Sequence, residues 1–385
     1  MTGGGSGGHI TPILAVADEL KSLRPDIKLV YIGQKGDKLA DIPVGHGNID
    51  EVYTVRAGKF RRYHGQGLKQ LLDVRTLLKN IRDFFFVIAG FWQSYWLLKK
   101  LKPAGMFVKG GYIAVPVGLA AGLSHIPYVT HDSDIVPGLA NRIISRWAKA
   151  HAVALPKEVY NYPTDKTFTV GVPVSAQFKP VTNELQTSYR KETKLDEYKE
   201  IILVTGGGLG ALSLNESFAK ISPELLSAYP ELCIINSVGR DHTDSISKLY
   251  DNLLTDSAQR KRVIIRGFIG EFYKYSGAAD VIVCRAGATN LAEFAVQRKA
   301  CVVVPNPILT GGHQTKNAQY MSEQRAIVVV NEDQLNADSK ALLDGVKTLI
   351  NNPKERRDMG ERLGKFALPG ATKQLAELIL DSISK

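Results

Sequence analysis

Taken only as apolar and polar positions, the chain alternates short β-branched runs with longer stretches of helical spacing, almost end to end. That alternation predicts an α/β protein with parallel sheets, because each strand needs a helix to carry the chain back for the next. In the first half, Lys28–Ile32, Gly105–Val108, Pro127–Thr130 and His151–Ala154 read as strands. Ile13–Ser22, Leu68–Lys100 and Ala140–Trp147 read as the helices among them. A polar stretch from Pro173 to about Glu200 breaks the pattern and predicts a linker. The alternation then restarts with strands Ile201–Thr205, Cys233–Ser237, Val263–Ile265, Val281–Cys284 and Cys301–Val304. At the end, Leu375, Leu378, Ile379 and Ile383 are spaced for one buried helix face. The prediction is two doubly wound units, 1–172 and 200–368, a linker over 173–199, and a closing helix over 369–385 free to pack back on the first unit. Ligands of such folds bind beyond the carboxyl ends of the strands, so two facing units predict a cleft.

Composition narrows the class. A length of 385 residues, 44% hydrophobic and 23% charged, suits two ordinary folded domains. Cys233, Cys284 and Cys301 form no CxxC pair and sit in apolar runs, which predicts buried free thiols rather than a disulfide or zinc framework. The longest apolar run, Phe84–Trp92, falls short of the roughly 20 residues that span a bilayer, so a soluble or peripheral protein is expected. The net charge of +11 is concentrated: eleven Lys and Arg against Asp73 and Asp83 between Arg56 and Lys102 account for +9 of it. Interleaved with them are Phe84, Phe85, Phe86, Phe91, Trp92, Tyr95 and Trp96. Aromatics flanked by cations suit the headgroup level of an anionic membrane, and no nucleic-acid-binding motif accompanies the charge.

Three motifs carry candidate chemistry. Gly3-Gly4-Gly5-Ser6-Gly7-Gly8-His9 opens the chain before a helix, a turn that brings N–H groups to an anion or sugar oxygen. An imidazole there, His9, is a candidate general base. Thr205-Gly206-Gly207-Gly208-Leu209-Gly210 repeats strand, glycines, helix. A dinucleotide fold is its rival reading, but the next strand ends in Asn236-Ser237 without the acidic residue that grips a ribose. The most specific run is Ala279-Asp280-Val281-Ile282-Val283-Cys284-Arg285-Ala286-Gly287, followed by a helix carrying Glu293. Its turn suits a diphosphate, and the carboxylate can accept both hydroxyl protons of a ribose. Further on, Gly311-Gly312-His313-Gln314-Thr315-Lys316-Asn317-Ala318 sets His313 and Gln314 where a sugar would sit.

Together these motifs resemble glycosyltransferase family 28, as do Lys109-Gly110-Gly111-Tyr112, His131-Asp132-Ser133-Asp134 with Gly138 and Asn141, and Val170-Gly171-Val172-Pro173-Val174. The resemblance spans nearly the whole chain. It implies a GT-B fold, two Rossmann-like domains about a central cleft, and inverting transfer of N-acetylglucosamine from UDP to undecaprenyl-linked lipid I, forming lipid II for peptidoglycan. It implies no metal or other cofactor, and a peripheral place on the cytoplasmic face of the inner membrane. Carried residue by residue, donor contacts fall on Ser6, Gly7, Gly8, Ser175, Gly207, Gly208, Phe268, Ile269, Arg285, Ala288, Thr289, Asn290, Leu291, Ala292, Glu293, His313 and Gln314. Acceptor contacts fall on Gly110, Gly111, Tyr112, His131, Asp132, Asp134 and Asn141, with His9 as base and Asp132 or Asp134 as its rivals. Alternatives from the same likeness are another acceptor, or a silent homologue that only binds a UDP-sugar. The sequence departs from the family at Ser175, where an arginine is usual, at Gly208, where a serine is usual, and at Asp132-Ser133-Asp134 in place of Glu-Gln-Asn. The family's first strand precedes the glycine loop, and its loss here predicts exposed apolar surface in the first unit.

Overall fold

The computed structural model describes residues 1–5, 7–37, 39–60, 74–307, 312–337 and 339–383. The chain forms two compact units: Met1–Ser175 with Ile308–His313 and Leu368–Lys385, and Ala176–Pro307 with Gln314–Ala367.

In the first unit, α1 (Gly7–Leu23) leads to β1 (Val30–Gln34), α2 (Asp41–Val44), β2 (Glu51–Val55) and the long α3 (Val74–Leu101). Then come β3 (Met106–Val108), α4 (Ala114–Leu123), β4 (Tyr128–Asp132), α5 (Leu139–Ile144), β5 (Ala150–Val153) and β6 (Thr167–Thr169). All pairings are parallel: β1 with β2, and β3-β4-β5-β6 in that order. Thr2 bridges the two groups, parallel to Ile32 on one side and Val108 on the other. Its N–H donates to the Phe107 carbonyl, its own carbonyl accepts from Lys109, and the Met1 carbonyl accepts from Ile32. Met1 and Thr2 thus stand in a strand position, and beyond them lies an apolar cavity of about 350 Å³ lined by Leu29, Val30, Met106, Phe107, Ile379 and Ile383.

The second unit starts with α6 (Asn183–Glu192), a helix inside the stretch read as linker. Thr182 caps it by accepting from the Leu185 N–H, and Tyr189 buries against the following core. Its mostly polar surface hid it from a reading based on apolar spacing. There follow β7 (Glu200–Thr205), α7 (Leu212–Ala228), β8 (Leu232–Ser237), α8 (Thr243–Leu253), α9 (Ser257–Lys261) and β9 (Val263–Arg266). The second half runs α10 (Phe272–Ala278), β10 (Val281–Cys284), α11 (Ala288–Val296), β11 (Ala300–Val303), α12 (His313–Glu323), β12 (Val328–Val329), α13 (Glu332–Ala337), α14 (Lys340–Asn351) and α15 (Pro353–Gly364). Strand order is β12-β11-β10-β7-β8-β9, all parallel. Both faces are covered: Ile202 and Val204 of β7 join one apolar cluster, and Ile201 and Leu203 the other. That is why the strand reads as an unbroken apolar run. The three cysteines lie buried and unpaired in β8, β10 and β11. The last helix, α16 (Ala371–Ile383), belongs to the first unit, where Leu375, Ala376 and Ile379 enter its core.

Helix α3 is amphipathic the wrong way round. Asp83 and Ser94 are buried, while Ile81, Phe84, Phe85, Ile88, Trp92 and Trp96 are exposed at spacings of one helix face.

Candidate active site

At the carboxyl edge of the first sheet, backbone meets backbone. Gly5 has φ +81° and a Cβ there would strike the Tyr112 ring; Gly111 has φ +78° and a Cβ would strike the Gly4 carbonyl. Only glycine adopts these angles without cost and leaves room, so the opening loop and the Gly110–Tyr112 loop interlock. Asp37 fastens the first loop, accepting from the Gly5 N–H at 2.9 Å and from Leu39 at 3.0 Å, and the Tyr31 hydroxyl donates to the Gly3 carbonyl. Ser6 lies outside the described residues. Gly7 and Gly8 are the first residues of α1, and His9 sits in its first turn rather than on the loop. Burial, reinforced by Lys109, lowers the His9 pKa to about 4. The imidazole is therefore neutral at pH 7 and able to accept a proton.

Three of the expected acceptor residues turn out to be braces. His131 is fully buried, with Nε2 2.8 Å from the Gly171 carbonyl oxygen, and burial keeps the ring neutral. Asn141 is buried and donates to the His131 carbonyl at 2.9 Å. Asp132 has both oxygens engaged: Gly138 N–H donates to one at 2.9 Å, and the Tyr162 hydroxyl to the other at 2.9 Å. Burial raises the Asp132 pKa. These side chains point into the sheet end because β4 is buried along its whole length. Asp134 lies past the strand and stays partly exposed, its Oδ2 3.2 Å from Nδ1 of His313, which clusters with the first unit. His313, expected on the donor, is paired here with an expected acceptor residue.

In the second unit, β7 and β10 are neighbours, and the chain leaves them for opposite sides of the sheet, the place where such folds bind ligands. The Gly207–Gly208 turn follows β7, and Gly207 N–H folds back to the Thr205 hydroxyl at 3.2 Å. Phe268, beyond β9, is exposed, with the Arg240 guanidinium 4.9 Å over its ring. After β10, Gly287 is the N-cap of α11, whose first residues Ala288, Asn290 and Ala292 remain half-buried beside the buried Thr289. Glu293 follows on the same helix. It is buried, and burial lifts its pKa to about 8. A carboxyl held so far above its ordinary range marks a functional-site candidate. Gln314 opens the second unit's α12 segment and accepts from the Asn306 N–H at 2.9 Å through Oε1.

Three donor expectations change. Arg285 does not face a diphosphate: its guanidinium is buried, paired with Glu332, and donates to the Ser213 hydroxyl at 2.6 Å. Ile269 and Leu291 bury their side chains in the core, so they can offer a ligand only backbone. Ser175 closes the first unit's main segment, next to Val174, which exchanges hydrogen bonds with Thr372. Sequence reading missed Asp37, Tyr162 and Glu332, and it quoted Lys109 within a motif without giving it a role. Lys109 was the one with a signal, a lysine directly after an apolar strand and before two glycines. Among the described residues no group of three His, Cys, Asp or Glu could hold a metal ion.

The family model of the glycosyltransferase family 28 N-terminal domain matches residues 1–153, and that of its C-terminal domain matches residues 201–375. The chain belongs to glycosyltransferase family 28. Within this family it is 30% identical over 382 residues to a Natranaerobius thermophilus protein, covering 98% of each chain. It is 33% identical to a Clostridium perfringens protein, covering 91% of this chain and 90% of that one. Both are named UDP-N-acetylglucosamine–N-acetylmuramyl-(pentapeptide) pyrophosphoryl-undecaprenol N-acetylglucosamine transferase. Among solved structures, Acinetobacter baumannii MurG is similar with a TM-score of 0.66 at 24% identity, covering 99% of this chain and 98% of that one. The calicheamicin glycosyltransferase CalG4 follows with a TM-score of 0.62 at 14% identity, covering 100% and 97%. These likenesses carry the GT-B architecture, two Rossmann-like domains of a glycosyltransferase.

Proposed function

We propose that this family 28 enzyme transfers N-acetylglucosamine from UDP-N-acetylglucosamine to the undecaprenyl-linked muramyl-pentapeptide diphosphate, with inversion at the sugar carbon. The observation that carries the donor half is Glu293, a buried carboxyl on α11 just beyond β10, at the sheet's switch point. A ribose diol supplies the hydroxyl donors this carboxyl needs, and the helix N-terminus ahead of it suits the diphosphate. Gly207, Gly208 and Phe268 line the same carboxyl edge and complete the nucleotide site. Support for this donor and acceptor also comes from the name shared by relatives that cover nearly the whole chain.

In the first unit His9 is the base. It takes the proton of the attacking sugar hydroxyl as the bond to UDP breaks, and the positive end of α11 stabilises the departing diphosphate. Asp132 is too fully hydrogen-bonded for that task, which leaves Asp134 as the rival. The reaction is tested by incubation with UDP-N-acetylglucosamine and a lipid I analogue, followed by product mass. A product heavier by one N-acetylhexosamine is expected; nucleotide binding without product would mean a silent homologue.

The exposed aromatic face of α3, with Lys99 and Lys100 at its end, supports the further reading that the enzyme docks on an anionic bilayer where such an acceptor resides. No described helix is long and apolar enough to cross a membrane. Each basic residue near an anionic surface contributes about 1 kcal/mol, screened by salt. Co-sedimentation with phosphatidylglycerol vesicles should fall with salt, and equal binding to neutral vesicles would remove this reading. Arg61, Arg62 and Lys69, part of the same basic segment, lie outside the described residues.

A further inference from the structure

In the second unit one guanidinium joins the segments that leave four parallel strands, β7, β10, β11 and β12. Arg285 follows β10 directly and is only 7% exposed. Its Nη1 donates to the Val304 carbonyl, just past β11, at 3.2 Å, and to Glu332, which opens α13 after β12. Its Nη2 donates to the Ser213 hydroxyl in the first turn of α7 at 2.6 Å, and to Glu332 at 3.1 Å. Ser213 closes the ring by donating to Oε1 of Glu332 at 2.8 Å. Both Nη nitrogens thus commit their hydrogens to protein, and Nε is sealed from solvent. Burial by itself raises the Glu332 carboxyl, but the hydrogen bonds from Arg285 and Ser213 outweigh it and leave the pKa below its ordinary value. The pair is therefore ionised at neutral pH.

Each attachment stands close in sequence to a candidate donor contact. Ser213 sits where the Gly207–Gly208 turn has run into α7. Arg285 stands just ahead of Gly287, the N-cap of α11, and that helix carries Glu293. Val304 precedes Asn306, whose N–H donates to Gln314 at 2.9 Å. A buried ion pair adds little stability over an apolar pair of the same volume, whereas a rigid fork of N–H donors fixes direction.

We propose that Arg285, held by Glu332, is a positioning residue for the donor site: it keeps the glycine turn after β7, the start of α11 and the Asn306–Gln314 segment in fixed relation without touching the nucleotide. This rests on the reading that the second unit binds UDP-N-acetylglucosamine, and adds what holds its three loops together. Loops that are already fixed lose little freedom when a diphosphate arrives, and their N–H groups need no reorganisation to meet it.

The test uses the full chain as Glu332→Gln, as Arg285→Lys, and as the double variant Arg285→Met with Glu332→Met. UDP affinity is read by calorimetry, donor and acceptor KM by turnover, and folding by each protein's unfolding temperature. Glu332→Gln leaves Arg285 without its countercharge; UDP affinity should fall and the donor KM rise by roughly tenfold, as misplaced contacts cost, with the acceptor KM unmoved. Arg285→Lys keeps the charge but loses the fork, and should behave alike. The double variant removes both charges, so it should be as stable as the wild type or more so and still bind UDP weakly. The proposal is overturned if the double variant binds UDP as the wild type does, since the pair would then serve folding alone. It is overturned equally if Glu332→Gln tightens UDP binding, because the freed guanidinium would then be meeting the diphosphate itself. Wild-type affinity in Arg285→Lys would also overturn it, charge alone sufficing. Should the double variant not fold, the two single variants decide by the same criteria. A wild type without affinity for UDP would mean that the donor reading has failed, whereas normal wild-type binding with unmoved variants would sink the positioning role alone.

Discussion

The two sheet ends use one backbone device, a strand running into a glycine turn and a helix, yet bury opposite kinds of group. The first unit buries a cation and a neutral imidazole, Lys109 and His9, against the start of α1. The second buries a carboxyl, Glu293, along α11, with its pKa raised to about 8. Desolvation acts in both, and it pushes a base down and an acid up. The lesson is that the loops fix where a ligand goes, while the charge and protonation state of the groups buried beside them fix which chemistry it must bring. Side chains that satisfy each other, such as Asp132 with Tyr162 and Arg285 with Glu332, drop out of recognition even when they lie within a motif.

The sharpest way to break this comparison is at His9. Loss of a general base costs on the order of 10²–10⁴ in turnover, so His9→Ala should fall by that range with donor affinity unchanged. Because the base works neutral and its pKa is about 4, wild-type activity should persist below pH 6 and fall as pH drops through about 4. An acidic limb near the ordinary histidine value of about 6.5 would contradict the buried environment. Retained turnover in His9→Ala with loss in Asp134→Ala would move the base to the carboxylate.

Glu293→Ala comes next. A hydrogen bond to a charged group is worth about 1.5–3 kcal/mol, so the donor KM should rise roughly 10- to 150-fold with the acceptor KM unmoved. The sign of its pH dependence separates the units. In the free protein Glu293 holds its proton up to about pH 8, against 4.5 for an exposed glutamate, so the folded state binds more protons than the unfolded one across that window. Stability without ligand therefore declines as pH rises from 4.5 to 8, and Glu293→Gln should abolish that decline in thermal melts. Ribose hydroxyls favour the ionised form, so UDP binding should release a proton below pH 8, measurable by calorimetry in buffers of different ionisation enthalpy.

Smaller effects are expected where groups are already partnered. Gln314→Ala should cut the preference for the N-acetylglucosamine donor over its galactose epimer by about tenfold, as one placed polar contact allows. Asp132→Asn keeps an acceptor oxygen for Gly138 or Tyr162, so a loss of about 0.5–1.5 kcal/mol in stability and little change in turnover is expected. A collapse of turnover with native stability would put Asp132 back in the chemistry.

Much of this was legible in the chain. Parallel strands buried on both faces announce themselves as apolar runs, so β7, β8, β10 and β11 stand within a residue of the stretches that predicted them. The polar α6 and the two- and three-residue edge strands β12 and β6 carried too little apolar periodicity to be seen. In the site, motif order set His9 after the opening glycines and Glu293 on the helix after β10, and the structure has them in the first turn of α1 and on α11. It did not distinguish a residue facing a ligand from its neighbour facing the core, as Ile269 and Leu291 show.

Local sequence thus determined the elements, their parallel order and the glycine turns, because spacing, β-branching and positive-φ glycines act over a few residues. Only the tertiary structure decided partners. Tyr162 reaches Asp132 across 30 positions and Glu332 reaches Arg285 across 47, contacts that no local pattern encodes. Burial is likewise a property of the packed whole. It makes His9 a weaker base than its type suggests, keeps Glu293 protonated at neutral pH, and lowers the pKa of the Lys109 ammonium despite Asp132 and Asp134 nearby.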